Sequence, residues 1–185
     1  SALRMSKFNI ASINCCTESE GPYKRLCIWF QGCNIRCKGC CNPEYQQIVP
    51  KHIMSSEELV VLIKNARNQF GIEGVTYSGG EPTLQQNLPF LTAEIQKTGL
   101  GVICFTGRRY EDVKDLLTGC DVVLDGPFLQ EYKEEQRRIL GSKNQRILCL
   151  TDRYKDCIEQ WFSLRNGRTI EANFGEKIII NGDRF

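Results

Sequence analysis

The sequence predicts an α/β fold in which parallel strands alternate with helices to make part of a (βα) barrel, finished by a C-terminal antiparallel hairpin. Three observations carry this. Strand-like runs at 26–30, 74–77, 101–105 and 121–125 are separated by stretches of helical periodicity, and such alternation favours right-handed βαβ units in a parallel sheet. At 185 residues the chain reads as a single domain spanning residues 1–185, with a core at about residues 8–150 and a helix and hairpin in 151–185; a full eight-unit barrel takes roughly 250 residues. Finally, Ile170, Ala172 and Phe174 alternate with polar residues, turn at Gly175–Glu176 and return through Lys177 to Ile180, the pattern of a hairpin.

The elements follow in order. Phe8 to Ile13 alternates apolar and polar and predicts a half-buried first strand. Leu26-Cys27-Ile28-Trp29-Phe30 is a continuous apolar run, hence a buried strand, and it leads straight into a cysteine-rich loop. His52, the only histidine, is expected in a surface loop. Ser55 and Glu58 form a capping box ahead of Leu59, Leu62, Ile63, Ala66 and Phe70, which predicts an amphipathic helix over 56–70. Gly74 to Tyr77 is the next strand, ending at Ser78-Gly79-Gly80-Glu81-Pro82. Leu88, Leu91 and Ile95 mark a helix that starts near Asn87, carries Pro89 in its first turn and stops at Gly99. Gly101 to Phe105 is a strand; Tyr110, Val113, Leu116 and Leu117 mark a short helix closed by Gly119; Asp121 to Asp125 is the following strand. Residues 126–141 are charged, with a weak helical core from Leu129 to Leu140, before a strand at 145–150. Tyr154, Cys157, Ile158, Trp161 and Leu164 predict a last helix, ended at Asn166–Gly167.

Composition narrows the function. With 24 basic and 22 acidic residues the net charge is +2, so there is no electrostatic case for nucleic acid or an anionic membrane as partner. Eleven cysteines, no apolar run of about 18 residues and no signal-like start point to a reducing cytoplasm rather than to a membrane or a secreted disulfide scaffold. Cys104, Cys120, Cys149 and Cys157 fall on apolar faces and read as small hydrophobes.

The chemistry lies in Gln31-Gly32-Cys33-Asn34-Ile35-Arg36-Cys37-Lys38-Gly39-Cys40-Cys41-Asn42. Cys33, Cys37 and Cys40 are close enough for one loop to wrap a single cluster. A 4Fe-4S cluster held by three thiolates leaves one iron open to a small molecule. A ferredoxin run supplies four cysteines, and a zinc ribbon needs paired C-x2-C arms, which the adjacent Cys40 and Cys41 do not make. A zinc site recruiting Cys41 or a distant cysteine stays open as an alternative. The loop follows a buried strand, at the end where ligands of α/β sheets collect.

The spacing Cys33-x3-Cys37-x2-Cys40 resembles the signature of the radical S-adenosylmethionine enzymes. The resemblance implies two cofactors, a 4Fe-4S cluster on Cys33, Cys37 and Cys40, and S-adenosylmethionine chelating the open iron, with no catalytic side chain beyond them. Ser78-Gly79-Gly80-Glu81-Pro82 resembles the family's methionine-binding motif: paired glycines allow close approach of the backbone, and Glu81 is placed to accept a hydrogen bond from an ammonium. By the same resemblance the backbone of Gly39, Cys40 and Cys41 lies against adenine. Thr106 and Asp125 also end strands and ring the same mouth, where they either serve the ribose and the surroundings of the methionine carboxylate or act as capping and turn residues.

A narrower likeness is to the activating proteins of anaerobic ribonucleotide reductase. It rests on Ile28-Trp29-Phe30-Gln31-Gly32-Cys33, Asn42-Pro43-Glu44, Phe105-Thr106-Gly107 and Asp125-Gly126-Pro127-Phe128, with Gly141-Ser142 and Asn144-Gln145-Arg146-Ile147 beyond. It implies a glycyl radical enzyme as partner, the anaerobic reductase, and a low-potential electron donor such as flavodoxin or ferredoxin. Asn34-Ile35-Arg36 stands where such proteins often place a histidine, Cys41 where an aromatic is common, and the tail has no counterpart. These departures leave open a radical enzyme acting on a small molecule or peptide, and a non-catalytic iron-sulfur or zinc protein.

Overall fold

A computed structural model describes residues 6–35, 43–127 and 144–163, and the backbone of 177–178. Its strands are β1 (Lys7–Thr17), β2 (Arg25–Phe30), β3 (His52–Ser55), β4 (Gly74–Gly79), β5 (Gly101–Phe105), β6 (Val122–Asp125), β7 (Arg146–Cys149) and β8 (Lys177–Ile178). They form one sheet in the order β3-β1-β2-β4-β5-β6-β7, with β8 paired to β1. The centre, β2-β4-β5-β6, is parallel as expected. The flanks are antiparallel: β1 against β2, β3 and β8, and β7 against β6.

Helix α1 (Ser56–Phe70) has the predicted bounds, because its ends are chemically specified. The Ser55 hydroxyl accepts from the Glu58 N–H at 3.1 Å, and Gly71 closes the helix in the left-handed conformation at φ 68°. Helix α2 (Leu88–Lys97) likewise starts on a first-turn proline. The short helix is one α turn, α3 (Tyr110–Val113), continued by a 3-10 turn.

Both faces of the parallel strands are covered. Leu59 and Ile63 of α1 and Leu91 and Ile95 of α2 pack on the face carrying Leu26, Ile28, Val75, Tyr77 and Val102. On the other face Ile103, Val122 and Leu124 meet Tyr154, Ile158 and Phe162, the last two from α4 (Ile158–Ser163). Strand alternation puts Arg25, Cys27 and Trp29 of β2 on this second face. Arg25 is fully buried there and donates to Thr76 Oγ1 (2.8 Å), the Pro22 and Val75 carbonyls, Glu73 Oε1 (3.0 Å) and the Tyr154 hydroxyl (2.9 Å).

Several expectations are corrected. His52 opens edge strand β3 rather than lying in a loop; four residues give too short an alternation to stand out, and pairing with β1 decides their conformation. The last helix begins at Ile158, since Arg153–Cys157 is a run of turns that delivers Tyr154 to Arg25. Cys104 and Cys120 are buried small hydrophobes, the Cys120 thiol pushed up to about 12 by desolvation, whereas Cys149 is exposed. The weak helix at 129–140 and the first arm of the hairpin lie outside the described residues; of the second arm, Lys177–Ile178 pair with β1.

Candidate active site

Because β2, β4, β5 and β6 are parallel, their C-terminal ends meet at one mouth. Residues 31–35, which lead into the cysteine loop, start there. Gly32 N donates to Tyr45 O at 2.7 Å and Cys33 N to Gln46 O at 3.0 Å, so the strand's exit and the returning chain are laced together. Cys33 is a free thiol with 7% exposure. Gly39, Cys37, Cys40 and Cys41 lie outside the described residues, and among the described residues no group of three or more metal-ligating side chains occurs.

The two glycines of the Ser78-Gly79-Gly80-Glu81-Pro82 stretch bring β4 against the root of that loop. Gly79 has φ 103°, and a Cβ there would strike the Phe30 backbone; one on Gly80 would strike the carbonyl oxygens of Gly32 and Tyr45. With no side chains in the way, Gly80 N donates to Phe30 O (2.9 Å) and Glu81 N to Gly32 O (2.8 Å).

Glu81 is engaged by the protein itself. Its side chain is fully buried, and its carboxylate is satisfied by the protein. Oε2 accepts from Thr83 N (3.0 Å), Thr83 Oγ1 (2.6 Å) and Thr106 Oγ1 (2.7 Å), while Oε1 accepts from Gly107 N (2.7 Å). A carboxylate has about four acceptor sites, so little is left for an ammonium. Glu81 is a clamp between the ends of β4 and β5. Thr106 is engaged in the same clamp, its Oγ1 also accepting from Arg108 N at 3.1 Å.

Asp125, buried at the end of β6, is held as well. Its Oδ2 accepts from Tyr110 N (2.7 Å) and Arg146 Nη2 (2.5 Å), and Oδ1 from Arg146 Nε (2.9 Å). Gln145 Nε2 donates to Gly126 O (3.0 Å) and Asn144 Nδ2 to Pro127 O (2.9 Å). The two separated motifs, Asp125-Gly126-Pro127 and Asn144-Gln145-Arg146, are thus two halves of one bonded pair of strand ends. Arg146 also meets Glu111, whose carboxyl is lowered to about 2 chiefly by that hydrogen bond.

What remains open at the mouth differs from the side chains expected. Strand register sets Trp29 beside Ser78 and Phe105 beside Leu124. Trp29, Ser78 and Phe105 are half-buried, although deeper positions on the same face such as Arg25, Thr76 and Ile103 are sealed. Gln31, the residue before Gly32, gives its Nε2 to Gln47 O (2.8 Å), and its buried Oε1 has no donor among the described residues. A buried acceptor without a donor costs about 1–3 kcal/mol unless a ligand or structural rearrangement supplies one. Trp29, Gln31 and Phe105 lie in stretches that carry the family likeness, but only the fold shows that they line the open mouth.

Comparison with known proteins follows the same lines. The model of the 4Fe-4S single cluster domain matches residues 19–148. The chain belongs to the 4Fe-4S single cluster domain family. Among relatives of this single-cluster protein, the anaerobic ribonucleoside-triphosphate reductase-activating protein of Enterobacteria phage T4 is 26% identical over 146 residues, covering 74% of this chain and 91% of that one. The pyruvate formate-lyase-activating enzyme of Clostridium pasteurianum is 31% identical over 109 residues, covering 57% and 46%. The crystal structure of QueE from Escherichia coli aligns with 23% identity and a TM-score of 0.46 over 55% of this chain and 53% of that chain. The resemblance read from the cysteine loop is therefore borne out: this is a radical S-adenosylmethionine enzyme whose cofactors are a 4Fe-4S cluster and S-adenosylmethionine. Among the described residues, no helix is long and apolar enough to cross a membrane.

The residues present fit that cofactor pair. Cys33 offers a free sulfur donor at the rim, the donor type that iron-sulfur clusters take. Beside it lie a backbone crossing free of side chains and an acceptor awaiting a donor.

Proposed function

We propose that the chain activates a glycyl radical enzyme, with anaerobic ribonucleotide reductase as the partner. When bound, the cofactors supply one-electron cleavage of S-adenosylmethionine to methionine and a 5′-deoxyadenosyl radical, which takes hydrogen from a glycine of the partner. Cys33, Cys37 and Cys40 hold the cluster. The backbone at Ser78, Gly79 and Gly80 flanks the methionine end, and that at Gly39, Cys40 and Cys41 lies along adenine. Glu81, Thr106 and Asp125 act one step back, fixing the strand ends that frame the mouth. The partner's glycine loop enters over Trp29 and Phe105, and an electron donor such as flavodoxin or ferredoxin serves the cluster.

One observation carries this reading: the backbone of Gly80 and Glu81 docks onto the root of the cysteine loop through hydrogen bonds of 2.9 Å to Phe30 O and 2.8 Å to Gly32 O. It supports the reading because a side-chain-free backbone edge lies against the chain that leads through Cys33 into the other two cysteines. The test is anaerobic reconstitution followed by reduction with S-adenosylmethionine, which is expected to release 5′-deoxyadenosine. With the reductase present, a glycyl radical doublet is expected by electron paramagnetic resonance. Cys33→Ala, Cys37→Ala and Cys40→Ala should each abolish the cluster and Cys41→Ala should spare it. A full cluster without 5′-deoxyadenosine would refute the reading, and a consumed small metabolite with no protein radical would reassign the substrate.

A further inference from the structure

Arg108 sits where the end of β5 meets the cysteine loop, and no motif accounts for it. Its backbone is fixed on both sides: Arg108 N donates to Thr106 Oγ1 at 3.1 Å, and its carbonyl accepts from Gly126 N at 2.9 Å. The turn it belongs to is tied to Glu81 through Gly107 N at 2.7 Å. From this platform the half-buried side chain reaches back to the loop, where Nη2 donates to Asn34 Oδ1, on the residue next to Cys33. Gly107 leans on the same arm: a Cβ there would lie 2.7 Å from Cδ1 of Ile35.

Among the described residues no carboxylate neutralises this guanidinium. Arg25, Arg146 and Arg153 each meet a carboxylate within 3.0 Å. Arg108 has no carboxylate within ion-pair distance among the described residues, although it is partly withdrawn from water. A half-buried cation is costly without an anion nearby. The anion that the neighbouring loop is built to hold is an iron-sulfur cluster on thiolates, which carries net negative charge that reduction deepens.

We propose that Arg108 is a positioning residue for the cluster: it tethers the Asn34–Ile35 arm, and its charge stabilises the reduced cluster. This rests on the three-cysteine reading above. It differs from a cofactor-carboxylate contact, because the tether runs to the residue beside Cys33 rather than into the mouth. Removing a unit positive charge beside the cluster's loop is expected to shift its one-electron equilibrium by about tenfold toward the oxidised form, which is about 59 mV.

The experiment compares anaerobically reconstituted wild type, Arg108→Met and Arg108→Lys. Iron and sulfide content, the midpoint potential by redox titration monitored by electron paramagnetic resonance without S-adenosylmethionine, and S-adenosylmethionine affinity are read for each. The expected result is a full cluster in all three, a potential lowered by about 59 mV in Arg108→Met, and recovery of most of that shift in Arg108→Lys. Asn34→Ala, which cuts the tether but keeps the charge, should raise the rate at which oxygen bleaches the cluster. An Arg108→Met cluster with unshifted potential overturns the proposal, including the case in which only S-adenosylmethionine affinity falls. Loss of cluster from Arg108→Met and Arg108→Lys alike also overturns it, since that reports a purely structural role. A wild-type protein that takes up no cubane would instead sink the reading of the cysteine loop itself.

Discussion

Glu81→Gln separates two roles that the sequence alone cannot. A carboxylate kept for a ligand's ammonium would be unsatisfied in the cofactor-free protein, and neutralising it would leave that protein as stable or more so. The structure instead gives it four donors at 2.6–3.0 Å. In the glutamine variant the amide oxygen can take the Oε2 position and keep Thr83 N, Thr83 Oγ1 and Thr106 Oγ1. The amide NH2 must then face the Gly107 N–H, donor against donor. One charge-assisted hydrogen bond, worth about 1.5–3 kcal/mol, is lost, and the three retained become weaker neutral ones. The sum is about 2–4 kcal/mol, or a fall in Tm of roughly 5–15 °C for a domain of this size. The assay is thermal and urea unfolding of cluster-free protein under reducing conditions. Thr106→Val should cost less in the Glu81→Gln background than in wild type, because the two share a bond. A Glu81→Gln protein that melts at or above the wild-type temperature would refute the clamp.

Three further outcomes follow from the geometry. Arg25→Met should cost about 3–5 kcal/mol by urea unfolding, since it strands the donors and acceptors around a fully buried guanidinium; Glu73 keeps Arg153 as a second partner at 3.0 Å. Gly80→Ala should abolish iron uptake, because its Cβ would meet the Gly32 and Tyr45 carbonyls, whereas Gly71→Ala, with nothing within 4 Å of its Cβ, should cost only about 1–2 kcal/mol for its φ of 68°. Glu111 is held at about 2 by Arg146, below an unfolded value near 4.3. Its contribution is therefore present above the unfolded value and lost as pH falls toward 2, so acid unfolding below about pH 4.5 should be shallower for Glu111→Gln than for wild type.

The parallel centre of the sheet was legible because each strand and helix carries a local signal: the Ser55–Glu58 capping box, the Gly71 stop and the apolar runs of β2 and β5. The flanks were not, because β3 and β7 owe their direction to pairing partners distant in sequence. The site divides in the same way. Cysteine spacing and the glycine pair are local patterns, and the fold brings the glycine pair against the strand exit that leads into the cysteines. Glu81, Thr106 and Asp125 end their strands as expected, yet the partners that bind strand to strand, Thr106 and Gly107 for Glu81 and Tyr110 and Arg146 for Asp125, come from other segments. Residue type told which groups could take a hydrogen bond; only the fold told which ones already had.

That division bears on how the mouth works. At the other end of the sheet, Arg25 and Tyr154 fill the space between strands with a buried cation over an aromatic ring, 5.1 Å from its centroid, and the end is sealed. At the mouth the joints are made by backbone crossings at Gly79–Gly80 and by two clamps, one on Glu81 and one on Asp125. Joints of this kind hold strand ends in register without placing bulk between them. They leave half-buried Trp29, Ser78 and Phe105 as the open floor of the mouth. A side chain that both clamped the strands and gripped the ligand would have to exchange one partner for the other at each binding event. With Glu81 and Asp125 already engaged by the protein, the frame of strand ends holds without any ligand, which is the condition the proposed function places on the mouth.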